Sequence, residues 1–136
     1  MMWKPPLTVQ LLEGAGFEKT SAWVASDGRL ALATALSEKP GVYAFVVEGR
    51  ALYVGLAASG LSNRCKFYAR PGATQRTSIR LNATMLQMLT DDRKSIDIYT
   101  AHPADTNWNG LPVSTLAGLE AGMIKAYDLP WNLRGA

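Results

Sequence analysis

Three groups of side chains in this sequence have the types and spacing to do chemistry. The first is a pair of phenols, Tyr43 in Gly41-Val42-Tyr43 and Tyr53 in Tyr53-Val54-Gly55. Between them run Ala44-Phe45-Val46-Val47, Glu48-Gly49-Arg50 and Ala51-Leu52, apolar and β-branched residues around a glycine, which reads as a β-hairpin. Side chains alternate faces along a strand, so the parity of the loop decides whether the phenols meet. A two-residue loop at Glu48-Gly49 sets Tyr43 opposite Val54 and turns the phenols apart. A three-residue loop, Val47-Glu48-Gly49, with a left-handed glycine, sets Tyr43 across from Tyr53. We expect an odd loop or a bulge, with both phenols on one face. Packing inside a sheet is the commoner use of such tyrosines.

The second group is basic. Arg64, Lys66, Arg70, Arg76 and Arg80 fall in one stretch without an acid. Such a block is either a solvated face or, beside a phosphate site, a nucleic-acid track. The third is Glu120, in the middle of the apolar stripe Leu116, Leu119, Met123, Ile124 and Tyr127. A carboxylate aimed into a core costs several kcal/mol unless paired, protonated or metal-bound. A structural ion pair with an arginine would also satisfy it. Gly118 and Gly122 weaken the same helix by about 1 kcal/mol each relative to alanine. That side must therefore admit another backbone or a ligand.

The elements that position these groups follow from local patterns. Residues 8–13 read as a short helix started at Thr8 and stopped by Gly14 and Gly16. Phe17 to Ala25 reads as an edge strand and Ser26-Asp27-Gly28 as a turn or cap. Leu30 to Leu36 fits strand or helix equally. A helix is expected from Leu61 or Ser62 to Ala69, with Arg64 and Tyr68 four apart on one face. Thr77 or Ser78 caps a second helix with the stripe Leu81, Met85, Leu86 and Leu89. Ile96, Ile98 and Thr100 alternate with Asp97 and Tyr99 as a third strand. His102 to Pro112 reads as a polar loop, and the last helix starts near Ser114 and ends before Pro130. Residues 1–39 are read as an N-terminal extension packed on a domain of residues 40–136.

Composition bounds the remainder. The chain has 136 residues, 48% hydrophobic and 18% charged, enough for one domain with a real core. No apolar run is long enough to span a bilayer. The lead-in Met1-Met2-Trp3-Lys4-Pro5-Pro6 is not expected to be a signal peptide. The single cysteine, Cys65, excludes an internal disulfide and a thiolate zinc site. A reducing cytoplasm is the expected compartment. The one histidine, His102, lacks a motif partner and is expected in a loop. The net charge of +3 is compatible with a polyanion partner.

In order, the sequence carries Gly-Val-Tyr, Tyr-Val-Gly, Arg64 and Tyr68 on the next helix, and Glu120 through Asn132 on and after a late helix. This set resembles the GIY-YIG nuclease family, which includes the cutting domain of excision-repair nucleases and some restriction and homing endonucleases. The resemblance covers roughly residues 40 to 133. It implies an α/β (α+β) fold, a small sheet of three antiparallel strands flanked by helices. It also implies metal-dependent cleavage of DNA, with one Mg2+ or Mn2+ ion. Tyr43 and Tyr53 match the motif tyrosines, Arg64 the catalytic arginine, Tyr68 a position that is tyrosine or histidine in relatives, and Glu120 the metal ligand. Asn132 matches an asparagine after the final helix. Lys66, Arg70, Arg76, Arg80 and Asn132 are then candidates for holding nucleic acid. Some repair-type relatives carry a lysine where this chain has Leu56.

The implied chemistry is physically coherent. Positioning and cationic stabilisation supply most of the catalysis in phosphoryl displacements. Arg64 offers a permanently charged fork matched to phosphate oxygens. A tyrosine base with a pKa of about 10 costs about 4 kcal/mol at pH 7. We expect Arg64 and the metal to lower that pKa, with Tyr43 favoured over Tyr53 as the base. A binding module of the same fold without useful turnover, and an RNA-cutting relative, are the rival expectations. Cys65 is expected to pack, and Trp108 and Trp131 to pack by default or else to stack on bases.

Overall fold

The computed structural model describes residues 3–133. Met1 and Met2 of the lead-in lie outside them. The elements are β1 (Leu7–Thr8), α1 (Val9–Gly14), β2 (Glu18–Ser26), β3 (Arg29–Leu32), β4 (Gly41–Val47), β5 (Arg50–Ala57), α2 (Leu61–Ala69), α3 (Arg76–Thr90), β6 (Ile96–Ala101), β7 (Thr106–Trp108), β8 (Leu111–Val113) and α4 (Thr115–Ala126). The α+β class expected from the sequence holds.

The three-stranded sheet is corrected to six antiparallel strands in the order β1-β5-β4-β6-β2-β3. β4, β5 and β6 are the expected centre. The added strands all come from the first forty residues. β1 pairs with the start of β5, β2 takes the second side of β6, and β3 becomes the far edge. β2 is therefore an interior strand rather than an edge strand. The physical reason is pairing: an uncovered side of β6 would leave a row of backbone N–H and C=O groups without partners. Asp27 and Gly28 both have positive φ, 52° and 73°, which is the two-residue turn that matches strand twist. That turn resolves the Leu30 ambiguity in favour of a strand.

The helices lie in two layers. α2 and α3 cover the face carrying Tyr43, Phe45, Tyr53, Ile96 and Ile98, packing Cys65, Tyr68, Leu81 and Met85 against them. Val42, Ala44, Val46 and Val54 alternate onto the other face, where they meet Leu12, Phe17 and Met123 from α1, its following loop and α4. Thr8 caps α1 as expected, accepting from the Leu11 N–H at 3.3 Å. Neither Thr77 nor Ser78 caps α3. Its cap position is Gln75, whose side chain makes no cap bond, and Ser78 is buried inside the helix. The loop expected from His102 to Pro112 contains the β7–β8 hairpin, turned by Asn109 and Gly110 at φ 50° and 87°.

Candidate active site

The phenols depend on an irregularity in the β4–β5 hairpin. Glu48 and Gly49 form a two-residue turn, both with positive φ (52° and 77°). On its own this turn would set the tyrosines on opposite faces. A register shift intervenes: Val46 pairs with Ala51, but Phe45 pairs with Tyr53. Leu52 is the extra residue, and the bulge resets the parity. Tyr43 and Tyr53 therefore share a face, as expected, by way of the bulge and not a three-residue loop. Tyr43 stands across from Gly55, not across from Tyr53. Its ring occupies the space where a side chain on Gly55 would begin, so Tyr53-Val54-Gly55 needs its glycine. Phe45 holds both rings, with centroids 5.4 Å from Tyr43 and 5.6 Å from Tyr53.

α2 supplies the other half of the cluster. Its start is fixed because Gly60, at φ 113°, lies against the Glu38 carbonyl. The Leu61 and Ser62 N–H groups donate to the Lys39 and Ser37 carbonyls at 3.0 and 2.8 Å. From that anchor, Tyr68 points into the sheet. The Tyr43 and Tyr68 hydroxyls are 2.5 Å apart, and the Tyr68 hydroxyl donates to that of Tyr53 at 3.4 Å. Either hydroxyl can donate in the short Tyr43–Tyr68 bond. In the arrangement where Tyr68 donates to Tyr53, the chain runs Tyr43 to Tyr68 to Tyr53. Tyr43 and Tyr68 are 1% and 0% exposed, and Tyr53 is 9% exposed.

Arg64 lies one helical turn before Tyr68, its guanidinium carbon 4.5 Å from the centre of the Tyr68 ring. Among the described residues it donates no side-chain hydrogen bond and pairs with no carboxylate. Burial works against its charge, but Tyr43, Tyr68, Tyr53 and Cys65 favour it, and the net pKa is raised. Burial pushes Tyr43 well above the ordinary phenol value, and Tyr53 adds to the rise. Arg64 pulls the other way without winning. Arg64 thus lowers Tyr43 as expected, but desolvation outweighs it. Tyr68 is raised too, first by burial and then by the neighbouring phenols. Cys65 is a buried thiol pushed up to about 12, chiefly by burial, and serves as apolar filling.

Glu120 is not in the core. It is half-buried on α4, where only Met123 of the apolar stripe is fully covered. Leu116, Leu119 and Ile124 of that helix pack on the sheet face opposite the phenols, and among the described residues no hydrogen bond or ion pair joins Glu120 to Tyr43, Tyr53, Tyr68 or Arg64. Burial raises its pKa. Among the described residues it has no ion pair or hydrogen-bond partner, and no three His, Cys, Asp or Glu cluster around a common point. A lone unpaired carboxylate fits one hard cation that keeps most of its waters, as magnesium does.

Asn132 reaches the edge of β5. Its carbonyl accepts from the Val54 N–H at 2.8 Å and its amide donates to the Val54 carbonyl at 2.9 Å. With the Trp131 N–H on the Leu52 carbonyl at 2.8 Å, it pins the bulged strand beside Tyr53. Its amide is spent on backbone, so it positions the strand. Arg80 is likewise engaged, donating to the Trp131 carbonyl at 3.0 Å. Lys66, Arg70 and Arg76 are exposed along α2, its end and the start of α3. Sequence reading missed Trp23, whose ring meets Tyr68 and Phe45 edge-on at 6.4 and 5.8 Å. The signal was an aromatic among small polar residues, in a stretch assigned to an extension. His102 lies in a loop as expected, its Nδ1 2.7 Å from the Pro40 carbonyl beside the first motif glycine.

The fold is one found in solved endonucleases. The chain is similar to a point mutant of bacteriophage T4 EndoII, with a TM-score of 0.73 and 17% identity over 91% of this chain and 97% of that one. It is also similar to the restriction endonuclease HPY188I in complex with product DNA, with a TM-score of 0.54 and 17% identity over 91% of this chain and 84% of that one. No protein-family model matches the chain, and no curated protein sequence matches it significantly.

Proposed function

We propose that this chain is a DNA endonuclease of the GIY-YIG type. One observation carries the reading: two strand tyrosines, a helix tyrosine and an arginine without an acidic partner converge on one cluster, in the order the motif requires. The fold similarity to two endonucleases, one of them solved with product DNA, supports it.

In this reading Arg64 takes the non-bridging phosphate oxygens with donors that no protein acceptor uses. The attacking water forms its bond to phosphorus as the bond to the leaving oxygen breaks. Its proton goes to Tyr43, whose lone pairs are free in the arrangement where that hydroxyl donates to Tyr68. Tyr43 passes its own proton to Tyr68, Tyr68 passes its own to Tyr53, and Tyr53, the end of the chain nearest solvent, releases its own to solvent base. No buried phenolate then has to persist. Glu120 would hold the single Mg2+ or Mn2+ ion, which supplies positive charge to the developing oxyanion. Lys66, Arg70 and Arg76 give the backbone track, while Arg80 and Asn132 hold the strand that carries Tyr53.

A binding module without turnover is the second reading. It is favoured by Leu56 in place of a basic residue. Incubation with branched, single-stranded and duplex DNA, and with RNA, in Mg2+ or Mn2+ separates the two. Cleavage lost in Arg64→Ala and Glu120→Ala supports the endonuclease. Binding that survives both substitutions, with no substrate cut by the wild type, supports the module.

A further inference from the structure

The β7–β8 hairpin has no part in the site. Its register pairs Thr106 with Val113 and Trp108 with Leu111, so these four side chains share one face. On that face Trp108 is 70% exposed, Leu111 65% and Val113 38%. Every residue from 104 to 114 is exposed, so the body of the protein does not cover it. Two short strands standing alone are marginal in water, and a contiguous apolar patch marks an interaction surface.

Charge selects the occupant. Residues 104–114 contain one charged side chain, Asp105, and no lysine or arginine. Phosphate contacts supply most of the affinity for nucleic acid, so this face is poorly made for it. The chain itself carries an uncharged receptor. A cavity of about 510 Å3 opens between α1 and α4, walled by Leu7, Leu11, Phe17, Leu119, Met123 and Tyr127. A space of that size holds an aromatic side chain readily.

α4 links knob and groove. The hairpin leads into its N-terminus at Ser114, and its later turns wall the groove. Its solvent face carries Ala117, Gly118, Ala121 and Gly122, with Lys125 one turn on, all exposed. Nothing lies within 4 Å of where a side chain on either glycine would begin. The close approach these glycines permit is therefore not used within the chain.

We propose that a second copy of this chain covers the hairpin. Two α4 helices lie antiparallel along their small-residue faces, and Trp108 and Leu111 of each copy seat in the α1–α4 groove of the other. The arrangement is two-fold and self-complementary, so it closes as a dimer. Its buried centre is aromatic and free of charge, as interface cores are. The proposal is independent of the nuclease reading.

The test is the solution mass of the full chain by sedimentation equilibrium, over a range of concentration. The expected mass is twice that of the monomer. It should fall by half in Trp108→Ser/Leu111→Ser and also in Gly118→Leu. The second variant meets open space and gains helix propensity, so it keeps the fold. A wild-type mass equal to the monomer at every concentration overturns the proposal, as does a dimer that persists in both folded variants. If the hairpin variant instead weakens DNA binding at unchanged mass, the surface belongs to nucleic acid and the dimer is wrong.

Discussion

A phenol that burial makes a weaker acid serves poorly as a preformed phenolate. Tyr43 and Tyr68 are both raised in this way, so in the proposed mechanism proton transfer along the chain accompanies attack. Cleavage should therefore climb with pH and show no plateau below about pH 9, which a pH profile of kcat/KM on duplex DNA reads directly. Stability should move oppositely. The unfolded chain ionises Cys65 first and then its tyrosines, while the folded chain holds those protons, so stability falls as pH rises above about 8.5 and more steeply above about 10. Glu120 obeys the same sign at the acid end. Its folded pKa is raised, so its ionisation penalises the fold from about pH 4.3 upward. At neutral pH Glu120→Gln should melt at a higher temperature than wild type in EDTA, while losing cleavage. An unchanged or lower melting temperature would show that the carboxylate is satisfied in the metal-free protein.

At the scale of elements, the site rests on the Leu52 bulge, the glycine across from Tyr43 and the asparagine on the edge of β5. Gly55→Ala forces the Tyr43 ring to move, and should cost about 1–3 kcal/mol by overpacking, measured by urea unfolding, with cleavage lost. What the sequence disclosed follows the same division. The hairpin, α2, the capped α1 and α4, and the shared face of the two tyrosines were legible, because alternation, capping residues and glycine placement are local signals. The bulge was foreseen only as one way to align the phenols, since nothing local distinguishes it from a longer loop. Of the three strands added to the sheet, β1 was missed, β2 was read as an edge strand and β3 was left between strand and helix, because their pairing partners are distant in sequence. Trp23 was missed. Asn109-Gly110 was a readable turn signal that the polar composition of its loop obscured. Glu120 stood out in an apolar stripe, but how far a stripe is covered depends on what packs above it. The stripe of α4 is only partly covered.

Across the whole molecule, positive charge is uneven. Lys66, Arg70 and Arg76 stand exposed near the helix that carries Arg64, while the β7–β8 hairpin carries none. If these three contact phosphates, replacing each by alanine should weaken binding to all sequences alike and lessen the salt slope by roughly 0.9 per contact. Among the described residues, no helix is long and apolar enough to cross a membrane. The fold thus sets the phenol and guanidinium cluster under two helices on one face of the sheet and packs Leu116, Leu119 and Met123 of α4 on the other. The proposed hydrolysis requires the cluster to act on the water, and one comparison isolates that step. Single-turnover cleavage of duplex DNA in Mg2+ should fall by at least ~10²-fold in Tyr43→Phe, with DNA affinity unchanged and the fold intact. Cleavage at the wild-type rate by both Tyr43→Phe and Tyr53→Phe would contradict a phenol base at this site.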